Sequence, residues 1–169
     1  TVGDTAPDYA STGWRFVGIP DGTGAYANDD GTLNLIVNHE LGSTSGIVRD
    51  HGSKGAFLDL IVLDPATGEI ISGDDLIQSG EDIFTWNGVD YVAGTTAWNR
   101  FCSADLPALS AFYDANTGLG TEERIYLTGE EAGSEGRAFA FVLTDVDATD
   151  GTAARVAYEL PWMGNFSYE

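Results

Sequence analysis

Leu35-Ile36-Val37-Asn38-His39-Glu40 is the stretch that decides how this chain is read, because three branched apolar residues run directly into an amide, an imidazole and a carboxylate. Branched apolar runs pack as buried β-strands, so the pattern predicts a strand whose last side chains change from packing to ligation. The same grammar returns at Arg124-Ile125-Tyr126-Leu127-Thr128-Gly129-Glu130-Glu131 and at Gly164-Asn165-Phe166-Ser167-Tyr168-Glu169. An unpaired carboxylate is strongly disfavoured in a low-dielectric interior, whereas one that is paired or bound to a metal is not. Three strands ending in acid therefore suggest a shared site; the plainer alternative is three unrelated turns at strand exits.

The spacing favours the shared site. Glu40 and Glu131 stand 91 residues apart and Glu131 and Glu169 stand 38 apart, close to two units and one unit of the roughly 40–50 residues in a propeller blade. Inner strands of successive blades line a propeller's central channel, so acids distant in sequence meet on one axis. The rest of the chain keeps an all-β cadence, with short strands separated by Gly- and Asp-rich turns about every ten residues and no clear amphipathic helix. Strands are expected at Trp14–Val17, Gly24–Tyr26, Leu33–Val37, Phe57–Leu63, Glu69–Ser72, Phe84–Trp86, Tyr91–Ala93, Leu109–Tyr113, Arg124–Leu127, Ala138–Leu143 and Ala154–Glu159. Asn87-Gly88 is the strongest hairpin signal among the intervening turns. Asp145–Gly151 resembles a calcium loop only superficially, since its glycine falls one place late and position twelve is Val156. The expected fold is a β-propeller-like all-β domain over residues 1–169. That length supplies about four blades, as a small propeller or as the N-terminal portion of a larger one; a sandwich is the other all-β solution.

Composition narrows the function. A hydrophobic fraction of 43% places the chain among globular proteins. The formal charge of −20 repels nucleic-acid phosphates and anionic membranes alike. No stretch approaches the 18 or more apolar residues of a membrane span. The start at Thr1 and the acidity suit a secreted, periplasmic or cell-surface protein, and the single cysteine, Cys102, excludes an internal disulfide. The chain has one lysine and six arginines, so Arg49, His51 and Lys54 within one glycine-bearing stretch read either as an anion site or as a local balance for acids.

Candidate metal ligands are His39, Glu40, Cys102, Glu130, Glu131 and Glu169. A thiolate, several carboxylates and one imidazole suit a hard or borderline transition metal such as iron, and the oxygen-rich positions suit calcium. A lone buried cysteine is ordinarily inert packing, but Asn99, Arg100, Ser103 and Asp105 give Cys102 polar company. Arg137 follows the acid pair closely enough to face an anion beside a bound cation. Nucleophile-elbow, zincin, phosphate-loop and dinucleotide motifs are absent.

In order, Asn38-His39-Glu40, the segment Asn99–Ser103, and Gly118-Leu119-Gly120-Thr121 leading through Leu127 to Gly129-Glu130-Glu131 resemble landmarks in the N-terminal half of the PhoX-type alkaline phosphatases. That resemblance covers the chain from about residue 18 to its end. It implies an exported β-propeller phosphomonoesterase with an iron pair and calcium ions, in which Glu40 and Cys102 are iron ligands and Glu130 and Glu131 their neighbours. Leu106–Leu119 lies between Cys102 and Gly120-Thr121 as an insertion relative to the family pattern. On this reading Arg49, Lys54 and Arg137 steer a phosphorylated small molecule into the site, and a second chain or the remainder of the propeller completes it. The rival expectation is a non-catalytic, metal-stabilised extracellular module.

Overall fold

A computed structural model of the chain describes residues 1–144 and 154–163. Its elements are all β apart from one four-residue helix, Tyr9–Thr12, and four short 3-10 turns. The first sheet is an antiparallel meander of β1 (Pro20–Ala27), β2 (Leu33–His39), β3 (Phe57–Leu63) and β4 (Ile70–Asp75) in that order. Asn28–Gly31 and Asp64–Gly68 turn the chain as their compositions predict: Asp30 accepts from the Thr32 amide, and Asp64 accepts from the Ala66 amide.

The second sheet holds β5 (Ile83–Trp86), β6 (Tyr91–Ala93), β7 (Phe101–Asp105), β10 (Arg124–Glu130), β11 (Ala138–Leu143) and β12 (Arg155–Glu159), in the order β6-β5-β12-β11-β10-β7. Strands β7, β10, β11 and β12 form a second antiparallel meander, and the β5–β6 hairpin joins it through a parallel β5–β12 pairing. A two-stranded ribbon of β8 (Tyr113–Asp114) and β9 (Leu119–Gly120) hangs between β7 and β10. No sheet closes on itself among the described residues. They make two four-stranded meanders, and the long connections without a strand among the described residues are 40–56, 76–82, 94–100 and 106–112.

Two expected strands take other forms. Trp14–Val17 supplies only an isolated bridge, Thr5↔Arg15, and Leu109–Ala111 is a 3-10 turn before β8. Trp14 is buried without a ladder partner, whereas Leu109 is exposed, so apolarity in the sequence signals neither pairing nor, at Leu109, burial.

The principal core lies between the sheets. Ile36, Leu58 and Leu60 meet Leu76, Ile83, Trp98, Phe101, Tyr126, Phe139 and Phe141 there, all buried. Successive side chains of a strand point to opposite faces, so Val37 and Ile61 instead pack with Ala6 and Trp14 beneath the N-terminal segment. Strands β1 and β7 approach closely where Gly22 lies against β7. A Cβ on Gly22 would fall 2.6 Å from both the Ala104 amide nitrogen and the Cys102 carbonyl oxygen, so only glycine fits without moving backbone. The Tyr126 hydroxyl donates to the Gly22 carbonyl and to Asn38 Oδ1, at 3.0 and 2.9 Å, which ties the sheets across the same point.

Candidate functional site

Strand alternation separates the three polar residues that open the reading of this chain. Asn38 faces the second sheet, fully buried, with its amide donating to the Cys102 carbonyl (2.6 Å) and to Thr128 Oγ1 (2.8 Å). His39 faces the other way. Its Nε2 donates to Asp59 at 2.8 Å, its ring stacks on Phe57 with centroids 4.4 Å apart, and Phe16 closes it edge-on. The imidazole therefore sits beneath the N-terminal segment, on the face opposite that of Asn38. Glu40, past the end of β2, turns out to the sheet rim.

At that rim the acids do converge. Arg100 donates from Nε and NH2 to Glu40 Oε1, at 3.0 and 2.8 Å, and from NH2 to Glu131 Oε2 at 2.6 Å. Its backbone is tied to the same two strand exits, since the Arg100 amide donates to the Leu41 carbonyl and the Glu131 amide donates to the Arg100 carbonyl. Glu40 follows β2 and Glu131 follows β10, the second strand of each meander, so these are equivalent positions in the two sheets. The first strands β1 and β7 pack against each other, and the acids leave the strands beside them.

Cys102 lies on β7, two residues beyond Arg100. Strand β7 pairs with β10 in a register that sets Phe101 opposite Glu130, so the Leu106–Leu119 insertion is looped out as the β8–β9 ribbon and its approach, leaving the cysteine beside the acid-bearing strand. Burial, and then a hydrogen bond to and charge from Asp21, push the thiol up to about 11. At neutral pH it is a protonated, buried side chain, and a nearby cation would have to displace its proton to use the sulfur.

The remaining candidates are held by protein partners. Glu130 is buried and receives NH2 and Nε of Arg137 at 2.7 and 2.9 Å, together with the backbone amides of Asn99 and Arg137. Arg137 spends its other donors on Thr96 Oγ1 and the Ala97 carbonyl and lies over the Phe139 ring. Arg49 is engaged in the same way: its guanidinium forks onto Asp75, lies 3.8 Å from Asp59 and covers the face of Phe57. Both arginines are thus paired with carboxylates, whereas Lys54 is exposed on the loop before β3. Asp74 and Asp75 sit on β4, and Asp75 is buried against Arg49. Glu169 and the Asp145–Gly151 loop lie outside the described residues.

Arg100 and Asp21 are the site residues that the sequence reading left without a role. The available signal for Arg100 was scarcity, since one of only six arginines stands in the middle of the cysteine segment. Asp21 carried none, because Ile19-Pro20-Asp21-Gly22 reads as a turn. In the fold Pro20, Asp21 and Gly22 begin β1 at the crossing with β7.

His51 fills the space behind the rim, buried and tilted over Trp98 with ring centroids 4.6 Å apart. Burial depresses its pKa to about 4, with Arg49 acting in the same direction and Asp75 against it. The folded state thus holds the imidazole neutral while the unfolded chain takes up a proton near pH 6.5. The His51 contribution is complete above the unfolded value and is lost as pH falls from 6.5 towards 4, amounting to about 2 kcal/mol between pH 7 and 5. Urea unfolding across that range should show this loss, and His51→Gln should flatten the difference.

Compared with known proteins, the chain matches no family model, no curated protein and no solved structure. Among the described residues no helix is long and apolar enough to cross a membrane, and no group of three or more His, Cys, Asp or Glu side chains is gathered as a ready metal cage.

Proposed function

We propose that this chain is the N-terminal portion of a secreted or cell-surface, propeller-type phosphoesterase that depends on calcium, with iron as a further candidate metal, and acts on phosphorylated small molecules. The two four-stranded meanders are, on this reading, successive blades. The observation that carries the proposal is the meeting of Glu40 and Glu131, from equivalent strand ends of different sheets, on a single guanidinium beside Cys102. Two carboxylates and a thiol are a donor set suited to a hard or borderline cation, and the place between the carboxylates already accommodates positive charge.

Glu40 and Glu131 would hold the metal, with Cys102 adding a soft donor once deprotonated; Glu130 is committed to Arg137. A bound metal supplies charge neutralisation on phosphoryl oxygens and activation of an oxygen nucleophile. The chain's own part is to fix the two carboxylates on separate rigid sheets. Lys54, exposed, is the cation left to attract a phosphate across an acidic surface.

A second reading has its own support. Arginines satisfy the hub carboxylates Glu40, Glu130 and Glu131, as they do in a purely structural ion-pair network, and this favours a non-catalytic extracellular module. Hydrolysis of p-nitrophenyl phosphate by this chain together with the remainder of the propeller separates the two. The enzyme reading expects turnover that disappears on chelation, returns with Ca²⁺ and Fe³⁺, and is lost in Glu40→Ala. A module shows no turnover in any of these states.

A further inference from the structure

Asn87-Gly88 is the one Asn-Gly pair in the sequence, and it sits at the tip of the β5–β6 hairpin, where residues 87–90 are all exposed. The turn is closed by the Asn87 amide, which donates to the Asp90 carbonyl at 3.1 Å. Asn87 Oδ1 in turn accepts from the main-chain amides of Val89 and Asp90, at 2.9 and 3.0 Å. Two main-chain donors thus converge on one side-chain carbonyl, the arrangement that stabilises negative charge developing on an oxygen. Gly88 stands at φ +101°, a Cβ built on it would meet nothing within 4 Å, and its amide has no acceptor among the described residues. An unshielded main-chain nitrogen therefore adjoins a polarised amide carbon.

We propose that Asn87 is a site of spontaneous modification, at which the side-chain amide becomes a carboxylate through a cyclic imide formed with Gly88. A base removes the Gly88 N–H proton, and the nitrogen attacks Asn87 Cγ. As the N–Cγ bond forms, charge passes to Oδ1 under the Val89 and Asp90 amides; the Cγ–Nδ2 bond then breaks, and Nδ2 takes up a proton and leaves as ammonia. Water opens the five-membered imide at either carbonyl. Opening at Cγ of the imide restores the ordinary main chain with an aspartate side chain, and opening at the main-chain carbonyl gives isoaspartate, in which the chain runs through Cβ and Cγ. The sum is one water consumed and one ammonia released, with nothing oxidised or reduced. Ring closure requires rotation about the Asn87 Cα–C bond, which a hairpin tip flanked by the short, exposed edge strand β6 allows at small cost.

The other described asparagines lack this combination. Asn28 has both ends of its amide engaged by Thr32 and Asn34. Asn34 precedes Leu35 inside the β2 ladder. Asn38 is buried and bonded to the Cys102 carbonyl, Thr128 and Tyr126. Asn99 is followed by Arg100, whose amide is held by the Leu41 carbonyl. Asn116 is followed by Thr117, whose amide donates to the Asp114 carbonyl at 3.2 Å and whose branched Cβ crowds the nitrogen. The change also has a structural cost, because isoaspartate adds an atom to the main chain of a hairpin whose register pairs Trp86 with Tyr91 and seats the Tyr91 hydroxyl on the Glu159 carbonyl.

Incubation of the folded chain at mildly alkaline pH, followed by peptide mapping with mass spectrometry and labelling by an isoaspartyl methyltransferase, tests this directly. A gain of one mass unit should accumulate at Asn87 ahead of every other described asparagine, divided between aspartyl and isoaspartyl peptides. Its rate should rise tenfold for each unit of pH, as hydroxide removes the Gly88 proton. Asn87→Gln keeps an amide on the exposed turn but would need a six-membered imide, so the gain should disappear from position 87 in a chain that still folds. Absence of the product at Asn87 in the folded chain, or product that forms only after unfolding in urea, would overturn the proposal. Conversion at Asn28 or Asn116 as fast as at Asn87 would overturn it equally, since the turn geometry would then confer no selectivity.

Discussion

Asp59→Ala is expected to destabilise the fold by about 3–5 kcal/mol, the range for removing one member of a buried charged network. Asp59 lies in the centre of β3 with no solvent exposure. Its Oδ1 accepts from Trp14 Nε1 at 3.0 Å, its Oδ2 from His39 Nε2 at 2.8 Å, and Arg49 approaches to 3.8 Å. Alanine leaves these donors facing a void among Phe57, Val37 and Ile61, where water is excluded and an unmet donor costs about 1–3 kcal/mol. The N-terminal segment loses its anchor at the same time, because the Trp14 indole is joined to the sheet by that carboxylate. Thermal unfolding should show a drop on the order of 10 °C, from roughly 2–4 °C per kcal/mol in a domain of this size. Asp59→Asn keeps one acceptor for Trp14 and should lose less. A fall below about 1 kcal/mol for Asp59→Ala would mean that this buried network is not holding the first sheet to its N-terminal cover.

The second large effect is expected at the rim. Glu130→Ala should cost about 3–4 kcal/mol, because Arg137 would retain its charge beside the core with its bidentate partner gone. Two backbone amides, of Asn99 and Arg137, also lose their acceptor, and they belong to the segments that carry Arg100 and begin β11. The change should therefore loosen the placement of Arg100 as well as lower stability. Arg137→Ala alone should be comparably harmful, whereas the double substitution should recover part of the loss. A double-mutant cycle by urea denaturation measures that recovery, with a coupling on the order of 2 kcal/mol. Additive single effects would show that Glu130 and Arg137 stabilise independently.

These two sites show how far the sequence could be read. Asp59 is a single acid inside Phe57-Leu58-Asp59-Leu60-Ile61-Val62-Leu63, and a carboxylate in such a run signals a paired, buried group. What it pairs with was not legible, since His39 and Trp14 reach it from 20 and 45 residues away through the β2–β3 register and the N-terminal cover. The Glu130-Glu131 doublet is similar. The strand places consecutive side chains on opposite sides, so Glu130 turns inward to Arg137 while Glu131 turns outward to Arg100, and a motif that reads as two equivalent acids becomes two different environments.

Local chemistry determined the all-β character, the hairpins at Asn28–Gly31, Asp64–Gly68 and Asn87-Gly88, and the apolar strands β2, β3, β10 and β11, because period-two alternation and turn residues act over a few positions. The sequence also brought Glu40 and Glu131 forward as related strand ends. Only the tertiary structure decided which charge each acid meets, that His39 leaves the rim, and that Arg100 stands between the two sheets. Those outcomes depend on strand register and sheet packing, where a shift of one residue exchanges the faces of every side chain, and neither is encoded in any single stretch.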